Sequence, residues 1–541
     1  MNMSKNKTNR FMPFIMAFCV VIGIIIGTFF SNHFSGNRLN VINSGSNRLN
    51  NLLHLIDDQY VDAVNIDSLV DKAIPQILAE LDPHSVYISA KDAAQATDDL
   101  KGSFSGVGIE FVIRQDTIHV QNVIQNGPAE KAGLLAGDKI VAVDGKPFVG
   151  KIVTNQEAMH RLKGPKDTKV KIGVIRYGSK KVKTFTVTRG EIPTKSVTAA
   201  YMLNDKTGYI RIKNFGENTY PEMLIALAKL SQQGFTNLCI DLRDNSGGYL
   251  TAAVNMANEF LPDKKLIVYT QGRKSPRHNY MSDGKGAYQK IPMVVLINEG
   301  SASSAEIFAG AMQDNDRATI IGRRSFGKGL VQQQIEFPDH SLIRLTIARY
   351  YTPSGRCIQK PYKKGDRLDY AMDLDKRYKH GEFTNQDSIH LSDSLKYYTL
   401  RKHRVVYGGG GIMPDYFVPL DTTKYTKMHR QLAAKSIVIN HSLKFIDAHR
   451  KELKSQYKDF DKFLATYEVP SSLIDGIIAE GKKEKIEPKD EAELIQTKKY
   501  LALQLKALVA RDIWDMSQYF QVWNETNEIV QRAVQLLTTG K

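Results

Sequence analysis

Two short segments of the chain bring together the residue types that a serine needs to hydrolyse a peptide bond. The first, residues 298–306 (NEGSASSAE), precedes an apolar helical run at 307–313. Within it, Ser303 and Glu306 form the Ser-x-x-Glu pattern of a helix capping box. A serine at a helix N-terminus lies beside main-chain N–H groups and the positive end of the helix dipole, and both stabilise an oxyanion. The segment alone is therefore consistent with a helix cap and with a nucleophile.

The second segment, residues 322–332 (GRRSFGKGLVQ), supplies a lysine. Its beginning fits the Gly-x4-Gly-Lys pattern of a phosphate-binding loop, which needs Ser or Thr after the lysine and a helix starting there. Gly329 follows Lys328 instead, and residues 331–337 have the pattern of a strand, so we exclude a nucleotide loop. A lysine can remove the proton of a serine hydroxyl only when its amine is neutral. Because the reference pKa of lysine is about 10.4, such a lysine must be buried.

These segments resemble the carboxyl-terminal processing (tail-specific) serine proteases, and three further runs carry the same resemblance. They are LDPHS at residues 81–85, DLRDNSGG at 241–248 and YTPSGR at 351–356. In this family the nucleophile stands 25 positions before the lysine, which selects Ser303 and makes Lys328 its base. A glutamine four residues after the lysine, here Gln332, is the third partner. An uncharged amide can position the amine without stabilising its ammonium form.

The resemblance also implies an oxyanion hole formed by main-chain N–H groups. One belongs to the residue after the nucleophile, Ser304, and the other to Gly247 or Gly248; counting does not decide between these glycines. The pair Ser304-Ala305 departs from the family, which commonly has Ala-Ser there. Neither a cofactor nor a metal is implied.

Residues 102–190 have the short alternating strands of a small β-domain. The runs GPAEKAGL at 127–134 and GDKIVAVDG at 137–145 resemble a PDZ domain, which binds a chain end as an added strand and holds its carboxylate with main-chain N–H groups. The competing interpretation is an ordinary β-domain whose glycines serve turns. By position, the resemblance implies a carboxylate loop and a side-chain pocket made by Gly106, Val107, Gly108, Ile109, Met159 and Leu162.

The pattern of the chain after residue 36 predicts an α/β protein with several domains. A short helical segment is expected at 37–101, and apolar strands alternate with helical stretches over 191–425, apart from an insertion near 360–404. The resemblance implies a ClpP/crotonase-like α/β protease domain for this block. Residues 426–541 are rich in Lys, Glu and Leu and predict a C-terminal helical domain that could mediate self-association or recruit an adaptor.

The N-terminus predicts the location of the protein. An uncharged apolar run at 11–30 follows Lys5, Lys7 and Arg10 and is long enough to cross a bilayer as a helix. The preceding positive charges predict an inner-membrane protein with a single span, a tip and anchor at 1–36, and its catalytic part facing the periplasm or outside. A cleaved signal peptide is the alternative, but no small-x-small site follows the run.

The composition of the chain limits the kinds of partner that it is expected to bind. The chain has 541 residues, a net charge of +17 and three cysteines that suggest no disulfide framework. Its basic residues are spread over every segment without a nucleic-acid-binding signature, so we expect no nucleic-acid partner. The sequence therefore predicts an exported serine endopeptidase that binds the free C-terminal tails of proteins and cleaves them through an acyl-enzyme. The alternative is a catalytically inert PDZ scaffold of the cell envelope.

Overall fold

The computed structural model describes residues 20–22, 45–93, 101–114, 116–124, 126–135, 137–176 and 181–539. Apart from residues 20–22, the predicted membrane anchor at 11–30 lies outside these residues. Among the helices in the described ranges, none is both long enough and apolar enough to span a membrane. The chain divides into two units, residues 1–77 and 78–541. The first holds the helices α1 (Gly45–Gln59) and most of α2 (Ile66–Ala79).

The predicted β-domain is a sheet with two short helices. Its strands run in the order β3-β4-β5-β7-β8, with β6 beside β5, and its core is made of buried Val, Ile and Leu side chains. The bounds are β3 (Ile109–Arg114), β4 (Thr117–Val123), α3 (Pro128–Ala132), β5 (Lys139–Val143), β6 (Lys146–Pro147), α4 (Asn155–Leu162), β7 (Lys169–Ile175) and β8 (Val182–Thr188).

A two-stranded stem connects this domain to the rest of the second unit. β2 (Ser103–Gly106) enters the domain and β9 (Gly190–Pro193) leaves it, and the two strands pair antiparallel, with Ser103 opposite Pro193. Both chain connections of the domain therefore run side by side.

A six-stranded sheet forms the centre of the block at 191–425, in the order β10-β11-β12-β15-β16-β21. All neighbours pair parallel except β10 with β11. β15 has the sequence MVVLI and is buried along its whole length, as expected for a strand covered on both faces. The bounds are β10 (Val197–Met202), β11 (Thr207–Ile212), α5 (Thr219–Gln232), β12 (Asn237–Asp241), α6 (Leu250–Phe260), β15 (Met293–Ile297), α7 (Ser304–Asp314), β16 (Thr319–Gly322) and β21 (Tyr416–Phe417).

A second sheet lies beside the first and forms one wall of the candidate site. Its order is β1-β18-β13-β14, with β17 also paired to β18. β1 lies inside the region predicted to be a helical segment at 37–101, so the prediction of helix is wrong for residues 86–88, which form a strand paired with β18. The sequence could not show this pairing, because Val86 lies opposite Arg344, far along the chain. The bounds are β1 (Val86–Ile88), β13 (Leu266–Gln271), β14 (His278–Met281), β17 (Leu330–Glu336) and β18 (Leu342–Tyr351).

The insertion and the C-terminal region are mainly helical. The insertion holds α8 (Arg367–Ala371), α9 (Asp373–Lys379) and two single-turn helices, and β19 (Lys396–Tyr398) pairs with β20 (Val405–Tyr407) at its end. The C-terminal helices have their own apolar clusters, and the last of them packs its apolar face on the six-stranded sheet. Their bounds are α10 (Lys427–Ala434), α11 (Ile437–Gln456), α12 (Phe460–Thr466), α13 (Ser471–Lys483), α14 (Glu491–Ile513), α15 (Met516–Asn524) and α16 (Glu528–Thr539).

Candidate active site

The predicted nucleophile lies on a sharp turn between β15 and α7. Ser303 has φ 54° and ψ −115°, a backbone conformation that costs energy for a residue with a Cβ and that clusters at functional sites. α7 begins at the next residue and is buried throughout. The hydroxyl of Ser301 fixes the turn by donating to the carbonyl oxygen of Leu242 at 2.8 Å. The surrounding core therefore holds the serine in an unusual conformation.

The predicted base lies on the loop between β16 and β17. Gly327 has φ 91°, and a Cβ built there would lie 3.0–3.3 Å from Lys360 and the Gly410-Gly411 backbone, so this position needs a glycine. Immediately after the loop, the pairing of β17 with β18 shifts between Val331 and Gln332. Such a β-bulge re-aims a side chain. The amide nitrogen of Gln332 is buried without a hydrogen-bond partner in the described part of the chain.

One cavity of about 980 Å³ brings the predicted catalytic residues together. Ser303, Lys328 and Gln332 all line it, and so do Gly247 and Gly248. Residues assigned from three separate stretches of sequence thus share one open space, which a substrate chain can enter. In the described ranges, no group of three or more His, Cys, Asp or Glu side chains is arranged to hold a metal ion.

The surroundings of Lys328 favour a neutral amine. Burial lowers the pKa of Lys328, and the positive charge of Arg344, which lines the same cavity, lowers it further. The carboxylates of Glu306 and Asp82 act in the opposite direction. Desolvation is the largest of these effects, so the pKa moves towards the range in which a lysine can accept a proton.

Glu306 joins the nucleophile turn to the lysine loop. This fully buried carboxylate accepts hydrogen bonds from the main-chain N–H groups of Ser303 at 2.9 Å, Gly327 at 2.7 Å and Lys328 at 2.8 Å. The Ser325 hydroxyl donates to it as well, at 2.5 Å. Burial nevertheless raises the pKa of Glu306 to about 7. The sequence indicated only its role at the start of the helix, and its link to the lysine loop was missed.

Tyr350 makes a second connection between the same two residues. Its hydroxyl lies 3.0 Å from the carbonyl oxygen of Ser303 and also bonds the carbonyl oxygen of Lys328. Tyr350 is itself buried, on β18. Both main-chain polar groups of Ser303 and of Lys328 therefore meet a buried side chain. Sequence reasoning missed Tyr350; the only signal was a tyrosine at an inward position of an alternating strand.

The glycine turn after β12 lies against the nucleophile. A Cβ built on Gly247 would lie 2.6 Å from the Cβ of Ser303, so only glycine allows this approach. The N–H of Gly247 donates to the side-chain oxygen of Asn245 at 2.8 Å. The N–H groups of Gly248 and Ser304 have no acceptor among the described residues. Of the two glycines that the sequence left open, Gly248 is therefore the one whose N–H is available to a substrate.

A buried ionic network supports this turn from behind. The guanidinium of Arg243 binds both carboxylate oxygens of Asp241, at 2.9 and 2.7 Å, and donates to the side-chain oxygen of Asn527 at 2.7 Å. The hydroxyl of Tyr209 also donates to Asp241, at 2.5 Å. Asn527 lies between α15 and α16. The C-terminal region thus contacts the strand end that leads directly into Gly247 and Gly248.

The insertion contacts the lysine loop from outside. Arg377 donates to the carbonyl oxygens of Ser325 at 3.0 Å and Arg324 at 2.9 Å. The N–H of Lys360 donates to the carbonyl oxygen of Gly327 at 2.9 Å, and its ammonium lies 3.9 Å from the centre of the Phe326 ring. The sequence analysis assigned no role to the insertion, and the structure shows that it supports the loop that carries Lys328.

The residues predicted to bind a tail in the β-domain are only partly exposed to a ligand. Val107 and Leu162 are 3% exposed and belong to the core of the domain. Gly106 and Gly108 are buried as well, whereas Ile109 and Met159 are partly exposed. Ile109 begins β3, which is an edge strand of its sheet. An added strand can therefore pair with β3, but Val107 and Leu162 would contact it only from beneath.

Comparison with known proteins agrees with these features. Residues 206–367 match the model of peptidase family S41, residues 105–188 match a PDZ domain, and residues 428–515 match a family of unknown function, DUF8443. A carboxy-terminal-processing protease of Bartonella bacilliformis is 39% identical over 319 residues, covering 58% of this chain and 72% of the relative. A carboxyl-terminal-processing protease of Synechocystis sp. is 38% identical over 296 residues, covering 53% and 68%.

Among solved structures, the photosystem II D1 C-terminal processing protease is 30% identical, with a TM-score of 0.34, covering 57% of this chain and 88% of that structure. On the strength of the sequence relatives, this chain belongs to the carboxy-terminal processing proteases, which are serine endopeptidases with a PDZ domain. The predictions of the family, of the PDZ domain and of a serine protease are confirmed.

Proposed function

We propose that this protein binds the free C-terminal tail of a protein substrate at its PDZ domain and cleaves the chain with a Ser303–Lys328 dyad. The observation that carries the proposal is that these two residues line one cavity while Glu306 and Tyr350 hold both of their backbones. A fixed geometry of this kind is what a proton transfer between a hydroxyl and an amine requires.

The reaction proceeds in two stages. Neutral Lys328 takes the proton of the Ser303 hydroxyl, and the oxygen attacks the carbonyl carbon of the scissile bond. The resulting oxyanion accepts hydrogen bonds from the N–H groups of Ser304 and Gly248, both of which lack another acceptor in the described part of the chain. The lysine then gives its proton to the leaving amine, and an acyl-enzyme remains on Ser303. Water, deprotonated by the same lysine, attacks the acyl carbon. The bond from this carbon to the Ser303 oxygen breaks, the lysine returns the proton to that oxygen, and the product leaves as a carboxylic acid.

Gln332 is the third member of the proposed set. Its amide is buried in the cavity wall and lacks a partner for its nitrogen among the described residues. Side-chain amide oxygen and nitrogen are assigned from hydrogen bonding, so either end can face the amine. An amide oxygen facing Lys328 orients the amine without adding a negative charge that would favour its protonated form.

We further propose that the protein is anchored in the inner membrane by residues 11–30, with the chain after residue 36 outside the cytoplasm. The support is the uncharged run after Lys5, Lys7 and Arg10. Self-association or adaptor recruitment by the C-terminal helices stays a prediction.

A cleavage assay with the full-length protein in detergent tests the catalytic proposal. The substrate is an unfolded protein with an apolar tail, offered with a free C-terminal carboxylate and with an amidated one. We expect cleavage by the wild type and by Lys364→Ala, an exposed-lysine control, and loss of at least about a thousandfold in Ser303→Ala and Lys328→Ala. Amidation should raise KM, because the PDZ domain loses the carboxylate.

The same assay distinguishes a protease from the competing function, a catalytically inert PDZ scaffold. An inert scaffold binds the free tail equally in all variants and cleaves with none of them. Mass spectrometry of wild type mixed with an activated ester of the substrate should show an acyl group on Ser303. A persistent absence of cleavage by the wild type, with tail binding intact, would favour the scaffold.

A further inference from the structure

Three lysines line the cavity that holds Ser303. They lie between the paired strands β2 and β9, here called the PDZ stem, and the turn at Gly247-Gly248, here called the oxyanion turn. Lys101, Lys195 and Lys213 all line the cavity that holds Ser303, and all are exposed to solvent. None of the three forms an ion pair with a carboxylate in the described ranges. They come from three separate stretches of sequence, so their proximity is a property of the fold.

Main-chain hydrogen bonds show how these lysines follow one another. The N–H of Thr194 donates to Gly102 at 2.9 Å, which places the residue after Lys101 beside the residue before Lys195. The N–H of Lys213 then donates to the carbonyl oxygen of Ser196 at 2.8 Å. The three lysines therefore lie on adjacent backbone segments.

The last of these segments continues to the oxyanion turn. Phe215 donates to the carbonyl oxygen of Gly247 at 2.9 Å, and Phe215 pairs with Gly248 in a parallel bridge. Lys101 precedes β2 and Lys195 follows β9, the two strands of the PDZ stem. The basic row thus begins where the PDZ domain joins the protease block and ends beside the site of attack.

The acidic residues of the same cavity already have partners. The carboxylate of Asp244 accepts from the Asn298 amide at 2.7 Å and lies 3.6 Å from Arg211. Glu336 pairs with His340 at 2.9 Å. On the opposite wall, Arg344 adds another positive charge. A cavity lined in this way attracts negative charge along its length.

Resting on the proposed function, we propose that the cleft selects substrates that carry Asp or Glu residues between the scissile bond and the tail held by the PDZ domain. The row begins at the start of β2, the strand that leads into the predicted carboxylate loop at residues 106–109, and it ends beside Ser303. A substrate held at both places therefore runs along the lysine row. Each exposed Lys–carboxylate pair contributes modestly, so the preference is a graded one that salt weakens.

Three peptides test the proposal with the full-length protein. They share one apolar tail with a free carboxylate and one scissile sequence, and the stretch between carries Glu, Gln or Lys residues. For the wild type at low salt we expect kcat/KM to fall in the order Glu, Gln, Lys, with about threefold to tenfold between neighbours. In about 0.5 M NaCl the three values should converge, because the Debye length becomes shorter than the side chains.

A double variant with two charge reversals provides the second measurement. Lys195→Glu with Lys213→Glu should invert the order, so that the Lys peptide is cleaved faster than the Glu peptide. The matched control is Lys229→Glu with Lys264→Glu, which changes the net charge equally at exposed positions outside the cavity and should keep the wild-type order.

The outcomes separate this proposal from the one on which it rests. Equal cleavage of the Glu and Lys peptides by the wild type at low salt overturns the acidic preference and leaves the proposed function standing. Inversion of the order by the control pair also overturns it, because the effect would then come from overall charge. If no peptide is cleaved, the proposed function itself fails.

Discussion

The hydroxyl of Ser304 donates a hydrogen bond of 2.8 Å to the carbonyl oxygen of Gly248. Ser304 follows the nucleophile, and Gly248 carries the N–H that lacks an acceptor in the described part of the chain. The side chain of Ser304 therefore ties together the two residues whose N–H groups form the proposed oxyanion hole.

Ser304→Ala tests the contribution of that bond. Losing one neutral hydrogen bond costs about 0.5–1.5 kcal/mol, and we expect kcat to fall about threefold to tenfold with KM almost unchanged. Steady-state kinetics on a tailed peptide measure both values, and Ser472→Ala on the surface of α13 serves as the control. An unchanged kcat would show that the glycine turn holds its position without Ser304.

Glu306→Gln and Tyr350→Phe test whether the backbones of the dyad must be held together. The Gln variant places an amide group that donates hydrogen bonds among main-chain N–H donors, and we expect kcat to fall about a hundredfold, as a small misplacement does. Tyr350→Phe deletes only a hydroxyl and should lower kcat less. Tail binding, followed by fluorescence anisotropy, should be the same as in the wild type.

Because both residues act on the same two backbones, the double variant should lose less than the sum of the two free energies. The two single variants and the double variant form a double-mutant cycle. If their effects on kcat/KM add as free energies, Glu306 and Tyr350 do not share a role. Circular dichroism shows in parallel whether each variant is folded.

Arg344→Gln should move the pH dependence of catalysis. In the proposed mechanism activity requires neutral Lys328, so activity rises with pH as Lys328 loses its proton. The charge of Arg344 lowers the pKa of Lys328; without it, that pKa rises and the acid limb of kcat/KM moves to higher pH. Arg344→Lys keeps the charge and should keep the limb close to its wild-type position. Glu306→Gln removes a charge of opposite sign and should move the limb to lower pH.

Asn527→Ala tests the support that the C-terminal region gives to the oxyanion turn. The variant removes a hydrogen bond to the charged guanidinium of Arg243, whose loss costs about 1.5–3 kcal/mol. We expect a lower unfolding temperature and a lower kcat at an unchanged KM. Gln535→Ala, at an exposed position of α16, is the control. A loss of stability with full kcat would limit the contact to a structural role.

The family resemblance and its 25-residue spacing predicted Ser303 as nucleophile and Lys328 as base, and the structure places both residues in one cavity. Sequence reasoning also predicted the strands β12 and β15, because their centres are apolar runs, LCI and MVVLI. It could not find the hydrogen bonds of Tyr350 to the carbonyl oxygens of Ser303 and Lys328, or the position of Arg344 in the same cavity. Both depend on the pairing of β17 with β18, a register that nothing in the separate strands reveals.

The residues predicted to bind a tail show a second limit of prediction from sequence. The motifs identified the PDZ domain, but position alone assigned Val107 and Leu162 to the ligand pocket, and the fold buries both. A residue at the start of a glycine loop can point to either side of it. The sequence therefore predicts the kind of domain and not the direction of each side chain.

The pairing of β1 with β18 has a consequence for the order in which the molecule is built. Val86 has been synthesised long before Arg344, its partner, appears. The PDZ domain lies between them and closes through contacts within its own residues, so it can fold as soon as it emerges. The cleft gains its second wall only after residue 351 has been made. A chain that is still being synthesised can therefore hold a folded PDZ domain before the wall of the cleft that carries Gln332 and Arg344 is complete.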